Sequence, residues 1–345
     1  MIRTWKKFGS IENITRQKAI DDVVQYGYSG GIWIANEKIH GGNFSIFSAY
    51  VDAENEEIRM GKKSCLIADD ANFYGCQEVM EKVTPNIREL HRGLLNHSKY
   101  EFSEMGVRGE ICGGWYPHPD VPKNNKAIRV QKGVWYSPDN EFYGFDIMLD
   151  GLYMDADEVH KWLERYGILN SLIFTGTFKE CLECSNEFQT TIPDMLGLPP
   201  IDDNICEGIV LRPLVPAFYP SGSRVILKSK NARFAEKENK KKTPRIIVEL
   251  TPEAQQLLDE LDSLLTENRL RNVLSQGDLE VITNKDFGKL MKLFTSDVWE
   301  DFDKEFHNEF SILNKEEQKR ITKAMGSFSA DLIREHFLNI IDQNF

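Results

Sequence analysis

Apolar positions in the front two-thirds of the chain come in short bursts that alternate with polar ones or form brief continuous runs. IWIANEKIHG (32–41), NFSIFSAYVDA (43–53), EFYGFDIMLDG (141–151), ICEGIVLRPL (205–214) and SRVILKSK (223–230) are each punctuated by Gly, Asn, Asp or Pro. That spacing predicts strands. Helical periodicity intervenes near 16–26, 77–94 and 156–166. The pattern changes after KENKKKTPR (237–245). Thr251-Pro252-Glu253 then reads as an N-cap, a first-turn proline and a first-turn acid, and Leu257, Leu258, Leu261, Leu264 and Leu265 recur at helical spacing. The remainder is helical in pattern, with turns expected at Gln276-Gly277 and Met325-Gly326. The expected fold class is α+β: a domain over 1–245, followed by an all-helical domain over 246–345.

Composition sharpens this picture in only a few respects. A hydrophobic fraction of 41% and a charged fraction of 28% over 345 residues are ordinary for a globular protein with a real core. No apolar run reaches the length of a membrane span. The opening stretch has no apolar h-region, so no secretory signal is expected, and the six cysteines read as reduced thiols in a cytoplasmic protein. The net charge of −12 argues against a nonspecific nucleic-acid coat. That charge is uneven: residues 246–345 hold 20 acids and 11 bases, whereas 228–245 hold eight Lys/Arg and two Glu. A local cationic stripe can bind phosphates whatever the total charge.

Several motifs carry less than they suggest. Cys181 and Cys184 form a C-x-x-C on an expected helix, but no second pair stands at zinc-site spacing. Asp286-Phe287-Gly288 spells the kinase metal-binding triplet without the Gly-rich and H-R-D loops a kinase needs. His118, between two prolines, reads as a loop residue.

The informative signal is a set of charges inside apolar strands. Lys38 is followed by Ile39-His40-Gly41, Glu110 lies in VRGEICGG, Glu207 in ICEGIVLRP, and Lys228 and Lys230 end RVILKSK. The last two are two residues apart and so leave the same face of a strand. Such charges are costly in apolar strands unless paired or used. A structural ion pair between Glu207 and Lys228 would also account for part of the set.

Taken in order, Lys38-Ile39-His40-Gly41, Gly109-Glu110, Phe145-Asp146, Glu207-Gly208 and Lys228/Lys230 resemble the motifs of the covalent nucleotidyltransferases, the superfamily of ATP-dependent DNA and RNA ligases and mRNA capping enzymes. His40 stands where DNA ligases and capping enzymes usually carry Asp. EKIHGGNFS, KNARFAEK, TENRLRNVLS and NKDFGKLM are similar to the phage-type RNA ligase 2 family, which includes the kinetoplastid RNA-editing ligases. The resemblance spans nearly the whole chain. It departs from the family at Lys63, where Arg is common, and at Arg212, where relatives carry Lys. Lysine can charge-pair with a phosphate but lacks the planar bidentate fork of arginine.

The resemblance implies an ATP-grasp-like ligase fold of antiparallel sheets with flanking helices, and an ATP-dependent RNA ligase. Such an enzyme joins a 3′-hydroxyl to a 5′-phosphate, here expected at nicks in duplex RNA. It implies a lysyl-AMP intermediate on Lys38, with Mg²⁺ or Mn²⁺ held at Glu207 through water, as suits an ion that keeps its hydration shell. Lys228 and Lys230 would contact the α-phosphate, and Glu110 the ribose, with Asn43 and Lys63 nearby. Phe145 and Val210 would sandwich adenine, and Glu37 and Ile39 would line its pocket. An unperturbed lysine titrates near 10.4, leaving fewer than about one in two thousand neutral at pH 7, so neighbouring cations and burial are expected to activate it. The helical tail would grip the duplex, with Arg269 and Arg271 as candidates unless they only cap helix surfaces. No membrane partner is expected, and the protein is expected to be a monomer. The alternatives are a DNA ligase or capping-type enzyme, or a noncatalytic RNA-end-binding protein.

Overall fold

The computed structural model describes residues 7–50, 56–63, 65–68, 71–234, 250–276, 282–283, 285–341 and 345. Two compact units result, Met1–Arg233 and Phe234–Phe345. The division expected at 245/246, the basic stripe at 236–245 and the turn at Gly277 lie outside the described residues.

In chain order the first unit contains β1 (Glu12–Asn13), α1 (Gln17–Gln25), β2 (Trp33–Glu37), β3 (Gly42–Tyr50), β4 (Glu56–Lys62), α2 (Cys76–Leu95), β5 (Glu104–Gly113), β6 (Asn140–Leu149) and β7 (Leu152–Tyr153). It continues with α3 (Ala156–Arg165), β8 (Leu172–Gly176), α4 (Phe178–Leu182), α5 (Ile192–Met195), β9 (Gly208–Pro213) and β10 (Leu227–Lys230). The strands form two five-stranded sheets, ordered β1-β10-β9-β2-β8 and β4-β3-β5-β6-β7. Among the described strand pairings only β1–β10 is parallel. The second sheet packs with α2 and α3 around Phe44, Ile46, Val107, Ile147, Leu90 and Leu163. The first sheet packs with α1 and α4 around Val23, Trp33, Ile209, Leu211, Leu227 and Phe178. All five residues of β2 are buried, so the strand is covered on both faces. This is the α+β class that the patterning implies.

Register does the positioning. In the β2–β9 pairing Glu37 faces Ile209, and just beyond it the Lys38 amide donates to the Gly208 carbonyl at 2.9 Å. Lys38 therefore leaves the sheet beside Glu207. In the β10–β9 pairing Lys228 faces Val210 and Lys230 faces Gly208, which brings the strand lysines to the same end.

The described residues of the second unit are helical: α6 (Pro252–Ser263), α7 (Glu267–Gln276), α8 (Phe287–Ile312) and α9 (Lys315–Ile341). Thr251 caps α6 by accepting from the Ala254 amide, with Pro252 in the first turn, where its missing N–H costs nothing. Leu257, Leu258, Leu261, Leu264 and Leu265 join Phe294, Val298, Phe302, Ile321 and Ile333 in one core. Asp286 is the N-cap residue of α8 and Phe287-Gly288 its first residues, so the kinase-like triplet is a helix start.

Three expectations need correction. The turn expected at Met325-Gly326 is absent, because α9 runs through it. A helical glycine costs about 1 kcal/mol relative to alanine, and burial of Ile321, Met325, Ser329 and Ile333 one turn apart holds the helix across it. Cys184 is not helical: the Thr177–Glu180 capping box starts α4, which ends at Leu182. Cys181 is a buried thiol that desolvation pushes up to about 11. Arg269 does not present its charge outward. Its side chain is 3% exposed and pairs with Asp297 at 2.7 Å and Asp301 at 3.0 Å, tying α7 to α8. Arg271 pairs with Glu267 at 3.0 Å and lies 4.7 Å from the Phe345 ring.

Candidate active site

An open pocket of about 480 Å³ is lined by Phe8, Ile11, Asn36, Glu37, Lys38, Ile39, Glu110, Tyr143, Phe145, Val210, Arg212 and Ile226. Six of the residues singled out from sequence thus meet here: Glu37, Lys38, Ile39, Glu110, Phe145 and Val210. Glu207 and Lys230 adjoin them through Lys38. Lys38 Nζ lies 2.7 Å from Glu207 Oε2 and Lys230 Nζ 2.9 Å from Glu207 Oε1, so a single carboxylate bridges two ammonium groups. His40 Nδ1 stands 3.7 Å from the same Oε2. Burial alone would raise the Glu207 carboxyl, but the charges of Lys230, Lys38 and His40 outweigh it and bring it down to about 2. Glu207 thus pairs with Lys38 and with Lys230, and Lys228 shares the face of Lys230 on β10.

Glu110 behaves oppositely. Desolvation dominates and the anion of Glu207 adds to it, pushing the carboxyl up to about 8 against the pull of Lys38, Asn43 and Lys63. Near neutral pH it is largely protonated and can donate as well as accept a hydrogen bond. Asn43 bonds Glu110 while its Oδ1 stays buried without a partner among the described residues. Lys63 lies just past β4, where its carbonyl accepts from the Phe8 amide at 3.3 Å.

Glu37 lines the pocket, but its carboxylate is engaged elsewhere. Thr190 Oγ1, Thr191 Oγ1 and the Thr191 amide all donate to it, and desolvation still holds its pKa above the ordinary value. Behind the pocket, buried Asp146 accepts from Arg212 and from Arg224, whose Nη2 is 3.0 Å away. Arg212 Nη2 also donates to the Phe145 carbonyl at 2.7 Å, fixing the backbone that carries the ring. Arg212 is therefore bound to the pocket wall by a fork that lysine could not reproduce.

Sequence reasoning missed Phe8, Ile11, Asn36, Tyr143, Arg224 and Ile226. Phe8 sits 5.5 Å, centroid to centroid, from Phe145, a contact that depends on where the chain start is threaded. Asn36 Oδ1 and Arg212 Nε are buried without partners among the described residues. An unsatisfied acceptor and an unsatisfied donor at a pocket wall are costly when left bare and useful when a ligand meets them. Among the described residues no group of three or more His, Cys, Asp and Glu could hold a metal ion unaided. Glu207 can serve as one carboxylate ligand, which suits only an ion that brings water and substrate phosphates with it.

Comparison with known proteins identifies the family of the chain. Residues 31–230 match the family described as RNA ligase, and residues 248–331 match the family described as T4 RNA ligase 2 C-terminal. The chain is 29% identical to the mitochondrial RNA-editing ligase 2 of Trypanosoma brucei brucei, over 90% of this chain and 85% of that protein. It is 28% identical to the mitochondrial RNA-editing ligase 1 of the same organism, over 65% of this chain and 54% of the relative. Among solved structures, Naegleria gruberi RNA ligase with PPi aligns at TM-score 0.41 and 13% identity, over 68% of this chain and 58% of that one. A mutant of that ligase with ATP and Mn aligns at 0.43 and 12%. The chain spans little more than half the length of the Naegleria protein. By the extent of the two family matches, the chain belongs to the RNA ligase family, and its tail puts it with the phage-type RNA ligase 2 members.

Proposed function

We propose that this ATP-dependent RNA ligase carries adenylate on Lys38 Nζ and uses it to seal RNA ends bearing a 3′-hydroxyl and a 5′-phosphate, at nicks in duplex RNA. The observation that carries the reading is the bridged set Lys38–Glu207–Lys230, whose Lys38 lines a pocket that has an aromatic wall. Nζ attacks the α-phosphorus of ATP, forming a P–N bond as the bond to the β-phosphate oxygen breaks and pyrophosphate leaves. The 5′-phosphate of RNA then displaces the lysine and takes the AMP. The 3′-hydroxyl displaces AMP in turn, making the phosphodiester.

Each residue has a defined task in this scheme. Lys38 must shed a proton to attack, and its Nζ donates to Glu207. Phosphates arriving at Lys228 and Lys230 compete for those cations and rearrange the bridge. Glu110 and Asn43 face the ribose, whose hydroxyls would supply the donor that Asn43 Oδ1 lacks. Phe145 and Val210 offer opposite faces to adenine. Asn36 Oδ1 and Arg212 Nε offer one acceptor and one donor, the complement of an exocyclic amine and a ring nitrogen. Lys63 adds positive charge beside Glu110. A divalent ion, Mg²⁺ or Mn²⁺, held at Glu207 would supply charge stabilisation at the phosphates.

The helical second unit disfavours the DNA-ligase and capping alternatives, which usually bring a β-barrel there. No described helix is long and apolar enough to cross a membrane. We assign the protein to the cytoplasm as a monomer, although the trypanosome relatives are named mitochondrial. Incubation with α-labelled ATP and Mg²⁺ tests the central step. Wild type gains an acid-labile, base-stable AMP adduct and Lys38→Ala gains none. Labelling of the variant would refute the assignment. Side-by-side sealing of an RNA nick, an RNA–DNA hybrid and single-stranded ends tests the substrate.

A further inference from the structure

Between β5 and β6 the chain makes a long excursion, residues 114–139, without a helix or a named strand. It is nonetheless tightly fixed. Gly113 and Gly114 both take positive φ, and a Cβ on Gly114 would collide with the Ile128 carbonyl, so only glycine allows the returning chain to lie so close. The Val130 amide donates to Gly113 O at 3.1 Å, and the Gly113 amide to Gln131 Oε1 at 3.1 Å. Asn140 Oδ1 accepts from the Ile128 amide and its Nδ2 donates to the Ile128 carbonyl. Asn204, three residues before Glu207, brackets Trp135 the same way. Tyr136 Oη accepts from the His40 amide at 2.9 Å. One loop is thus pinned to the strand carrying Glu110, the turn after Lys38 and the approach to Glu207.

Its exposed side chains carry three cations against one carboxylate, Asp120, which lies beside His118. Lys123, Lys126 and Arg129 are all exposed, and among the described residues none of the three makes an ion pair. By contrast Lys82, Arg88 and Lys161 of the same unit, each about half-exposed or more, are all paired. Lys123 Nζ rests 4.8 Å from the centre of the Trp115 ring, an arrangement that orients an ammonium without neutralising it. Gly113, against which 128–131 packs, is three residues along β5 from Glu110, or about 10 Å. Rigid backbone, cations without carboxylate partners and proximity to the pocket together fit a polyanion that continues past the reacting phosphate.

We propose that the 114–139 loop, through Lys123, Lys126 and Arg129, is the shelf on which the sugar-phosphate backbone of the RNA substrate lies as its end enters the pocket. This rests on the pocket reading above, so the test separates the two. Binding of a labelled nicked RNA duplex, without ATP, is measured against salt for wild type and for the triple variant Lys123→Ala, Lys126→Ala, Arg129→Ala. The expected result is a tenfold or greater loss of affinity at about 0.1 M salt, with a log–log salt slope shallower by about two to three units, one for each phosphate no longer neutralised. Adenylate uptake on Lys38 should stay within twofold of wild type. The charge-preserving pair Lys123→Arg, Lys126→Arg should bind as wild type does. An unchanged slope in the triple variant overturns the proposal and leaves a protein contact as the service of these cations. Loss of binding with no change in slope overturns it too, since shape rather than charge would then be at stake. Failure of the wild-type protein to take up adenylate would instead sink the pocket reading while leaving the binding result intact.

Discussion

Two buried carboxylates in the first unit are each flanked by two cations, and they differ in what those cations can do. Asp146 lies between Arg212 and Arg224, fully buried behind the pocket wall. Burial would raise its carboxyl, yet the two guanidinium groups hold it below the ordinary range. Glu207 lies between Lys230 and the pocket-lining Lys38. Arginine cannot deprotonate in a protein and grips through a planar fork, whereas lysine is a point charge on a flexible stem that can lose its proton. One set is therefore a fastening and the other a set of exchangeable contacts. Of the lysines, Lys38 keeps 19% of its side chain open and Lys230 only 5%, so Lys38 is the more accessible of the two.

The contrast is broken most severely by exchanging the cation type. Lys38→Arg keeps a positive charge beside Glu207, so thermal stability should hold within about 1 kcal/mol. Adenylate uptake should nevertheless fall below detection, a loss of more than about a thousandfold. Retained labelling of Lys38→Arg would erase the distinction. Next in size, Asp146→Ala strands two buried guanidinium groups and should cost about 3–5 kcal/mol in denaturant unfolding. A smaller cost would mean that the arginines find other partners.

Glu110 gives a pH signature. Its folded-state carboxyl sits at about 8 against an ordinary 4.5, so the folded protein binds the proton more tightly than the unfolded chain does. The stability this contributes is complete below pH 4.5 and is lost as the pH rises through 8. Melting curves from pH 4.5 to 9 should show Glu110→Gln gaining on wild type until about pH 8, by on the order of 5 kcal/mol, and then levelling. A constant difference would contradict the shift. The mildest test is Arg212→Lys, which keeps the charge and removes the fork. It should cost about 1 kcal/mol through lost bonds to Asp146 and the Phe145 carbonyl, and raise the Km for ATP more than it lowers kcat.

Those two sets also show what can be read from sequence. Lys38, Glu207, Lys228 and Lys230 stand out because a charge in an apolar strand demands an explanation. Arg212 was visible only as a departure, and Arg224 was silent, because its partner lies 78 residues away on another strand. The helix start at Thr251, with its local capping chemistry, was legible. Phe8 and Ile11 were not, since their place on the pocket wall follows from the parallel pairing of β1 with β10. Gly326 misled because a local breaker was overruled by the burial of Ile321, Met325, Ser329 and Ile333 along α9.

The hydrogen bond from the Lys38 amide to the Gly208 carbonyl joins residues far apart in the chain. Side chains alternate along a strand, so a slip of one position between β2 and β9 would point the amine at the opposite side of the sheet. No halfway arrangement can therefore be partly competent. During renaturation, circular dichroism from α2 and the helical tail should recover early, because local contacts close first. The capacity to become labelled should return later and in one phase, when that distant seam closes in the right alignment.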